Sequence, residues 1–289
     1  MPHAHTGRGS RVIALLLDTI TTAAILFVVC AGLLLVFGVM KIINFAHGGF
    51  LTVGGYSALA VTQLGLNPWW SLAFAFVIGG LCGMLVERLV VRPLYARPLD
   101  AILATWGLGI IIGQIITLVF GRDVKFVESP LSGTVGLLGT TYSQYRLAVV
   151  AIAIALAGAM AWALNGTRLG LLTRAVIMNE HLAKGLGINS TLVRFFSFSI
   201  GAAVASLAGA LITPLSSVDP NMGVPWLINA FMLAMVSGMS LTSLAAACLV
   251  LGGLQVIVST YGNPILGGLT IVLVAALVLR IRPQGFARD

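Results

Sequence analysis

Long apolar stretches separated by short polar segments dominate this chain. Most of the apolar stretches approach or exceed the roughly 20 residues that an α-helix needs to cross the hydrocarbon core of a bilayer. The clearest of them cover residues 12–37, 71–91, 101–120 and 265–281. They are continuously apolar, without the alternation of apolar and polar positions that marks the strands of a membrane barrel. The pattern therefore predicts an all-α, polytopic transmembrane bundle of about eight to ten spans.

Residues 38–55 form the first segment in which polar residues and glycines interrupt an apolar stretch. Polar side chains within a span are costly and often functional, and a helix breaks in a bilayer only where protein or a cavity surrounds the free backbone. We predict a broken helix that borders a translocation pathway; a tight turn at the membrane surface is the alternative. The candidate residues are Asn44, His47, Gly48 and Gly54. His47 could carry a proton, but a structural hydrogen-bonding role is favoured.

A second unusual segment covers residues 226–240. Its apolar part, residues 226–238, would form a helix of roughly 20 Å, which is shorter than the core of a bilayer. We predict a short helix here, which is tilted, re-entrant or one arm of a tight hairpin.

Composition supports a membrane protein and argues against several other classes. Only 8% of the 289 residues are charged, against about a quarter in soluble domains. The net charge of +8 could suggest nucleic acid, but the basic residues lie at the ends of apolar spans, as the positive-inside rule expects. The three cysteines lie in apolar runs without metal-ligand spacing. The sequence has no phosphate-binding loop, metalloprotease helix or nucleophile elbow. We therefore expect no catalytic residues, no metal, no cofactor on this chain and no nucleic-acid partner.

The distribution of lysine and arginine predicts which segments face the cytoplasm. Three, four and three of them occur in residues 88–100, 165–194 and 280–289, whereas the turns at 65–70, 214–225 and 259–264 hold none. The first set is therefore predicted to be cytoplasmic, together with the C-terminus, and residues 121–146 to form an outer loop. Arg8 and Arg11 favour an inside N-terminus, which would require an additional crossing hidden within residues 12–64.

Residues 165–194 are the longest polar interruption on the predicted cytoplasmic side. Residues 171–187 read as one short amphipathic helix, closed by a left-handed glycine at Gly185 or Gly187. Its apolar positions recur at helical spacing: Leu171, Ala175, Met178, Leu182 and Leu186. Such a helix suits a protein that is driven by a soluble partner, because the partner's movement must be received at a defined surface. The alternative is a helix that lies on anionic lipid headgroups.

Several short motifs along the chain resemble those of one transporter family. The most specific is Ile43-Asn44-Phe45-Ala46-His47-Gly48, followed by Gly54-Gly55-Tyr56; others are Arg92-Pro93-Leu94, Thr105-Trp106-Gly107-Leu108, Thr167-Arg168-Leu169-Gly170 and Arg282-Pro283-Gln284-Gly285. Over most of residues 12–285 the chain resembles the permeases of branched-chain amino acid ABC importers, and most of all the smaller of their two permease subunits. It departs from the family pattern at Gly49, where the family usually has an acidic or polar residue.

The resemblance implies a single permease domain over residues 1–289, with a transmembrane core at 12–285 and a cytoplasmic coupling loop at 165–194. It implies a multi-pass protein of the bacterial inner membrane that translocates branched-chain or related hydrophobic amino acids inward by alternating access. The implied partners are a second permease subunit, two ATPase subunits that use the ATP, and a periplasmic or lipid-anchored solute-binding protein.

In such an importer the helix at 171–187 would lie in a groove of an ATPase subunit. Arg174, Glu180 and Lys184 would orient it through polar contacts, and Leu182 and Leu186 would fill the groove.

Two other functions remain open from the sequence. Permeases for urea and short-chain amides share much of the same motif pattern. A stand-alone secondary transporter or channel is a further alternative, and it would use Asp18, Lys41 or His47 as its proton or ion site.

Overall fold

The computed structural model describes residues 8–137 and 139–282, and the described chain is almost entirely helical. The last three residues of the predicted core, 283–285, lie outside these ranges. Eleven α-helices are found in the described residues: α1 (Arg8–Met40), α2 (His47–Gln63), α3 (Trp70–Val86), α4 (Pro98–Phe120), α5 (Gln144–Gly166), α6 (Arg168–Met178), α7 (Glu180–Gly185), α8 (Ser190–Ile212), α9 (Gly223–Ser237), α10 (Leu241–Tyr261) and α11 (Pro264–Ile281). A short π-helix (Glu87–Val91) and a 3-10 turn (Arg92–Leu94) follow α3, and a second 3-10 turn (Thr213–Leu215) follows α8.

The predicted fold class is confirmed. Seven helices of the described chain are long and apolar enough to cross a membrane, and α9 is a shorter apolar helix. Many of their large apolar side chains point outward; Leu118 and Val119 of α4, for example, are 86% and 68% exposed. A surface of that kind is stable in lipid and not in water. With α2 and α9 the bundle has nine embedded helical segments, within the predicted range.

The predicted outer loop contains a small antiparallel hairpin. Strands β1 (Thr134–Leu137) and β2 (Thr140–Ser143) pair in register from Thr134 opposite Ser143 to Leu137 opposite Thr140. The hairpin leads directly into α5, and the preceding segment pairs with the loop after α8 through reciprocal backbone hydrogen bonds between Lys125 and Val218 of 2.8 and 2.9 Å. These contacts tie the loops at this end of the bundle together.

Helix α8 lies at the centre of the bundle and packs against α1, α2 and α3. Glycines at the crossings let the backbones approach closely, as expected where van der Waals packing holds helices together in lipid. A Cβ atom at Gly54 of α2 would overlap the backbone carbonyl of Ser206 in α8, and one at Gly209 would overlap the carbonyl of Leu51. The small residues at 201–209 of α8 thus allow close packing against these neighbours.

The predicted break near residues 38–55 is present and falls at residues 41–46. Helix α1 ends at Met40, and Lys41 has a left-handed backbone with φ of 53°. The Nε2 atom of His47, the first residue of α2, donates a hydrogen bond to the carbonyl of Val29 over 2.9 Å. Val29 lies eleven residues before the end of α1, or about 16 Å along the helix. The non-helical segment therefore runs back into the bundle before α2 begins.

The short helix near residues 226–240 is also present, as α9. It begins at Gly223, inside the bundle, where a Cβ atom would overlap the carbonyl of Gly48. The Gly223 amide donates to Thr52 Oγ1 over 3.2 Å. The N-terminal ends of α2 and α9 thus meet at one point within the bundle, and each belongs to an interrupted passage through it.

The expectation of an extra crossing before residue 64 is wrong. Helix α1 is one uninterrupted helix of 33 residues. Near its start, Asp18 Oδ1 accepts hydrogen bonds from Arg146 Nη1 over 2.6 Å and from the hydroxyl of Tyr142 over 3.0 Å. Its last residues line a cavity together with Met178 and His181. The N-terminal end of α1 therefore lies with the β-hairpin, at the end of the bundle opposite to α6 and α7.

Candidate functional site

The polar segment between α5 and α8 folds as two short helices that meet at Asn179. The prediction of one helix through residues 171–187 is wrong at this residue, whose backbone is extended, with φ of −156° and ψ of 100°. The Asn179 amide donates to the Ala175 carbonyl as α6 ends, and its side-chain Oδ1 accepts the amide of Leu182 over 3.0 Å as α7 begins. Asparagine is among the best N-cap residues, so the break had a sequence signal that helical periodicity concealed.

The predicted glycine termination is present at the end of α7. Gly187 has φ of 83°. Its amide donates to the Lys184 carbonyl and the Ile188 amide to the Ala183 carbonyl, both over 3.0 Å. This pair of bonds is the Schellman arrangement, in which a left-handed residue satisfies the last carbonyl groups of a helix. It fixes the direction in which the chain leaves α7 toward α8.

Most of the predicted apolar stripe faces away from the bundle. In α6 and α7 the residues that pack inward are Thr173, Val176 and Ala183. The large apolar side chains on the other face are exposed, as are Arg174 and Lys184. The exposed fractions of these apolar residues are 61% for Leu171, 84% for Met178, 62% for Leu182 and 73% for Leu186. We call this exposed set, together with Arg174 and Lys184, the α6–α7 surface.

Glu180 does not belong to that surface. Its side chain is 24% exposed and forms ion pairs with Lys184 Nζ, over 2.9 Å, and with Arg194 at the start of α8. Partial burial alone would raise the pKa of Glu180, but hydrogen bonds from Lys184 and Ser190 and the charge of Arg194 outweigh it and hold this pKa below its ordinary value. Its carboxylate joins α7 to α8, and the contact to a partner that was expected for Glu180 stays a prediction.

A cleft of about 290 Å³ lies where α2, α4 and α9 meet. Its walls combine glycines and apolar side chains with two polar side chains, Thr52 and Asn221. It is lined by Phe45, Gly48, Gly49, Thr52, Trp106, Gly109, Ile110, Pro220, Asn221, Val224, Leu227 and Ile228. Apolar walls with a few convergent polar groups are typical of small-molecule sites.

The four residues proposed for the pathway or the break have different places. Gly48 lines the cleft, and Gly54 is a packing contact with α8. Asn44 and His47 are buried beside the cleft and do not line it. Asn44 Oδ1 accepts the Ala46 amide over 3.0 Å, which shapes the turn before α2.

His47 is held by the carbonyl of α1 described above and is 1% exposed. This burial and the hydrogen bond to the Val29 carbonyl support a structural role for His47 rather than a role as a proton carrier.

Sequence reasoning missed most of the cleft. Thr52, Trp106 and Asn221 come from three segments that are far apart in the chain, and only the fold brings them together. Gly48 and Gly223 were a usable signal for the cleft, because their backbones approach each other too closely for a larger residue at either position. In the described residues there is no group of three or more histidine, cysteine, aspartate or glutamate side chains that could hold a metal ion.

The fold and these two features define a polytopic α-helical membrane protein with a cleft between α2, α4 and α9 and an exposed helical surface at one end. The sequence profile described as "Branched-chain amino acid transport system / permease component" matches residues 15–280. The chain belongs to this family.

Two curated relatives agree with that assignment, and one solved structure shares the fold. The high-affinity branched-chain amino acid transport system permease protein LivH of Salmonella typhimurium is 26% identical over 92% of both chains. The corresponding protein BraD of Pseudomonas aeruginosa is 26% identical over 93% of this chain and 94% of its own. The structure titled PsaBC from Streptococcus pneumoniae in complex with Fab shares the fold, with a TM-score of 0.50 and 14% identity over 91% of this chain and 89% of that one.

Proposed function

We propose that this chain is the membrane-spanning permease subunit of an ATP-binding-cassette importer for branched-chain or related hydrophobic amino acids. The observation that carries the proposal is the α6–α7 surface. This chain belongs to a permease family and exposes large apolar side chains on two short helices at one end of its bundle. Those side chains flank charged residues, as in surfaces that bind proteins. The sequence has no phosphate-binding loop of its own, and in this proposal partner subunits supply the energy of ATP.

The proposed partners follow from the two ends of the molecule. Two ATPase subunits would bind the α6–α7 surfaces of this chain and of a second permease subunit, on the cytoplasmic side. A solute-binding protein, periplasmic or lipid-anchored, would dock at the opposite end, where the β-hairpin and the Lys125–Val218 pairing form a continuous surface. Such an assembly belongs in the bacterial inner membrane, with the C-terminus in the cytoplasm.

The cleft between α2, α4 and α9 would supply this chain's half of the pathway. Its glycine-rich backbone and apolar walls suit an aliphatic side chain, and Thr52 and Asn221 offer polar contacts to the solute. The non-helical backbone at residues 41–46 and the N-terminal ends of α2 and α9 resemble the interrupted helices that border transport sites in other membrane proteins. Movement of α6 and α7 would tilt α8, and with it α2, so that the cleft faces each side in turn.

The α6–α7 surface is tested by replacing Leu182 with aspartate. We expect the L182D variant to lose ATPase subunits during co-purification, because a charge enters the apolar part of the interface, while the permease itself still folds. ATP-dependent uptake into proteoliposomes should fall by about tenfold or more, the effect expected when a central apolar interface residue is lost.

The matched control is L64D, which changes an equally exposed leucine, 69% exposed, at the turn after α2 on the other end of the bundle. L64D should retain the ATPase subunits. Full ATPase binding by L182D would contradict the docking assignment.

The solute class is tested separately in the complete assembly. Uptake of labelled leucine should be inhibited by unlabelled isoleucine and valine and not by urea or acetamide. Competition by the amides alone would assign the pathway to the other substrate class.

A further inference from the structure

Arg194 joins three elements that are separate in the chain. It is the fifth residue of α8, and its side chain is only 15% exposed. One guanidinium nitrogen donates to Glu180 of α7, and the guanidinium carbon lies 4.5 Å from the centre of the Tyr95 ring. The Tyr95 hydroxyl in turn donates to the carboxylate of Glu87. We call Glu180, Arg194, Tyr95 and Glu87 the Arg194 cluster.

Glu87 is the most unusual member of this cluster. Its side chain is fully buried, at 0% exposed, and one carboxylate oxygen, Oε2, has no hydrogen-bond partner among the described residues. A buried carboxylate is costly unless it is paired. The chain has only eight acidic residues, and two of them meet around one arginine. An apolar residue would fill the Glu87 position without that cost, which argues for a polar role.

Glu87 also opens the π-helix Glu87–Val91 at the end of α3. Wider helical turns of this kind are rare and occur frequently at functional sites. The next residues, Arg92–Leu94, form a tight 3-10 turn before α4. The Arg194 cluster therefore ends at a place where the regular hydrogen bonding of α3 changes.

Helix α7 has few other contacts with the bundle. Of its six residues only Ala183 is buried. A cavity of about 310 Å³ separates it from the end of α1 and is lined by Met40, Lys41 and His181 among others. In the described residues, Glu180 attaches α7 to α8 through its ion pair with Arg194 and a hydrogen bond from Ser190.

We propose that the Arg194 cluster transmits displacement of α7 to the end of α3, so that α3 and α8 tilt together when the ATPase subunits move. The inference rests on the proposed function. Helix α7 is already joined to α8 through residues 186–189, and α8 packs against α3. The cluster adds a polar link from α7 to the end of α3, through Arg194, Tyr95 and Glu87. These are positioning residues, because none of them lines the cleft.

The test is a double-mutant cycle with E180Q and E87Q in the assembled importer. A hydrogen bond to a charged group contributes enough to change an equilibrium by about tenfold or more, so we expect each variant to reduce the number of solute molecules imported per ATP by about that factor. ATPase subunits should still co-purify, and the KM for solute uptake should not change. If both act through Arg194, the double variant should be no worse than the worse single variant.

Three controls make the result specific. D100N removes an exposed ion pair, with Arg97 at the start of α4, that lies outside the Arg194 cluster and the α6–α7 surface, and it should leave the coupling ratio close to that of the wild type. Y95F removes the hydroxyl that contacts Glu87 but keeps the ring beneath Arg194. It is a second probe of the Tyr95–Glu87 contact if E87Q folds poorly. R194K keeps the charge and should restore part of the coupling that R194Q loses.

Several outcomes would overturn the assignment. Multiplicative effects of E180Q and E87Q would show that the two carboxylates act independently. Loss of ATPase binding in E180Q would place Glu180 in the docking surface, while wild-type coupling in E180Q and in both E87Q and Y95F would show that the cluster has no role in transmission. Failure of the wild-type chain itself to bind ATPase subunits would overturn the proposed function, and this inference with it.

Discussion

At the scale of single residues, glycine decides where the helices of this bundle can touch. Gly54, Gly209 and Gly223 each face a backbone carbonyl of another segment at a distance that leaves no room for a Cβ atom. Gly107 of α4, in contrast, has no atom within 4 Å of such a position. The 34 glycines of the chain are therefore not equivalent: substitution is limited at the packed ones and at those with a left-handed backbone, such as Gly187.

Replacing Gly54 with alanine should destabilise the protein. The new Cβ would meet the Ser206 carbonyl, and because backbone cannot move as a flexible side chain can, we expect a loss of about 1–3 kcal/mol, as for overpacked cores. Thermal unfolding in detergent measures the effect. G107A is the control and should be neutral or slightly stabilising, since alanine favours a helix over glycine. Equal melting temperatures for G54A and the wild type would show that α2 and α8 can separate at this crossing without cost.

At the scale of elements, features set by local sequence could be predicted, whereas features that depend on tertiary contacts could not. Apolar run length predicted the spans, and the glycine and polar residues at 38–55 predicted the break, because both properties are local. The division of the 171–187 helix was missed because helical spacing continues across Asn179, whereas its capping side chain ends one helix and begins the next. The ion pair of Glu180 with Arg194 was not foreseen for another reason: Arg194 belongs to the next long helix.

The anchoring of α7 should depend on pH. The pKa of Glu180 is held below its ordinary value of 4.5, so its ion pairs stabilise the folded position of α7 above that value and are lost as the pH falls through the lowered pKa. A spin label at position 182, introduced as L182C, should therefore gain mobility only once the pH falls below 4.5. The same label in the E180Q background should be mobile at neutral pH and change little on acidification. A label whose mobility is independent of pH in both backgrounds would contradict the anchoring role.

At the scale of the whole molecule, the fold sorts the basic residues between two ends. The β-hairpin end carries five of those in the described residues: Arg8, Arg11, Arg122, Lys125 and Arg146. The α6–α7 end carries ten: Lys41, Arg88, Arg92, Arg97, Arg168, Arg174, Lys184, Arg194, Arg280 and Arg282. This excess favours the α6–α7 end as cytoplasmic. Because α1 is unbroken and Asp18 pairs with Arg146, the N-terminal end of α1 lies at the other end of the bundle and would then face the outside, in spite of its two arginines.

That orientation is open to a direct test by labelling introduced cysteines with a membrane-impermeant maleimide. The natural cysteines interfere little, since Cys30 and Cys248 are buried and Cys82 is partly buried within α3. In intact spheroplasts G9C should react and L182C should not, and inside-out vesicles should give the reverse, because the two positions lie at opposite ends of the bundle. V124C, in the loop before the hairpin and 56% exposed as valine, should react from the same side as G9C. Reaction of G9C and L182C from one side would require α1 to cross the membrane twice, which a single uninterrupted helix cannot do, and would refute the arrangement of the first two helices together with the proposed orientation.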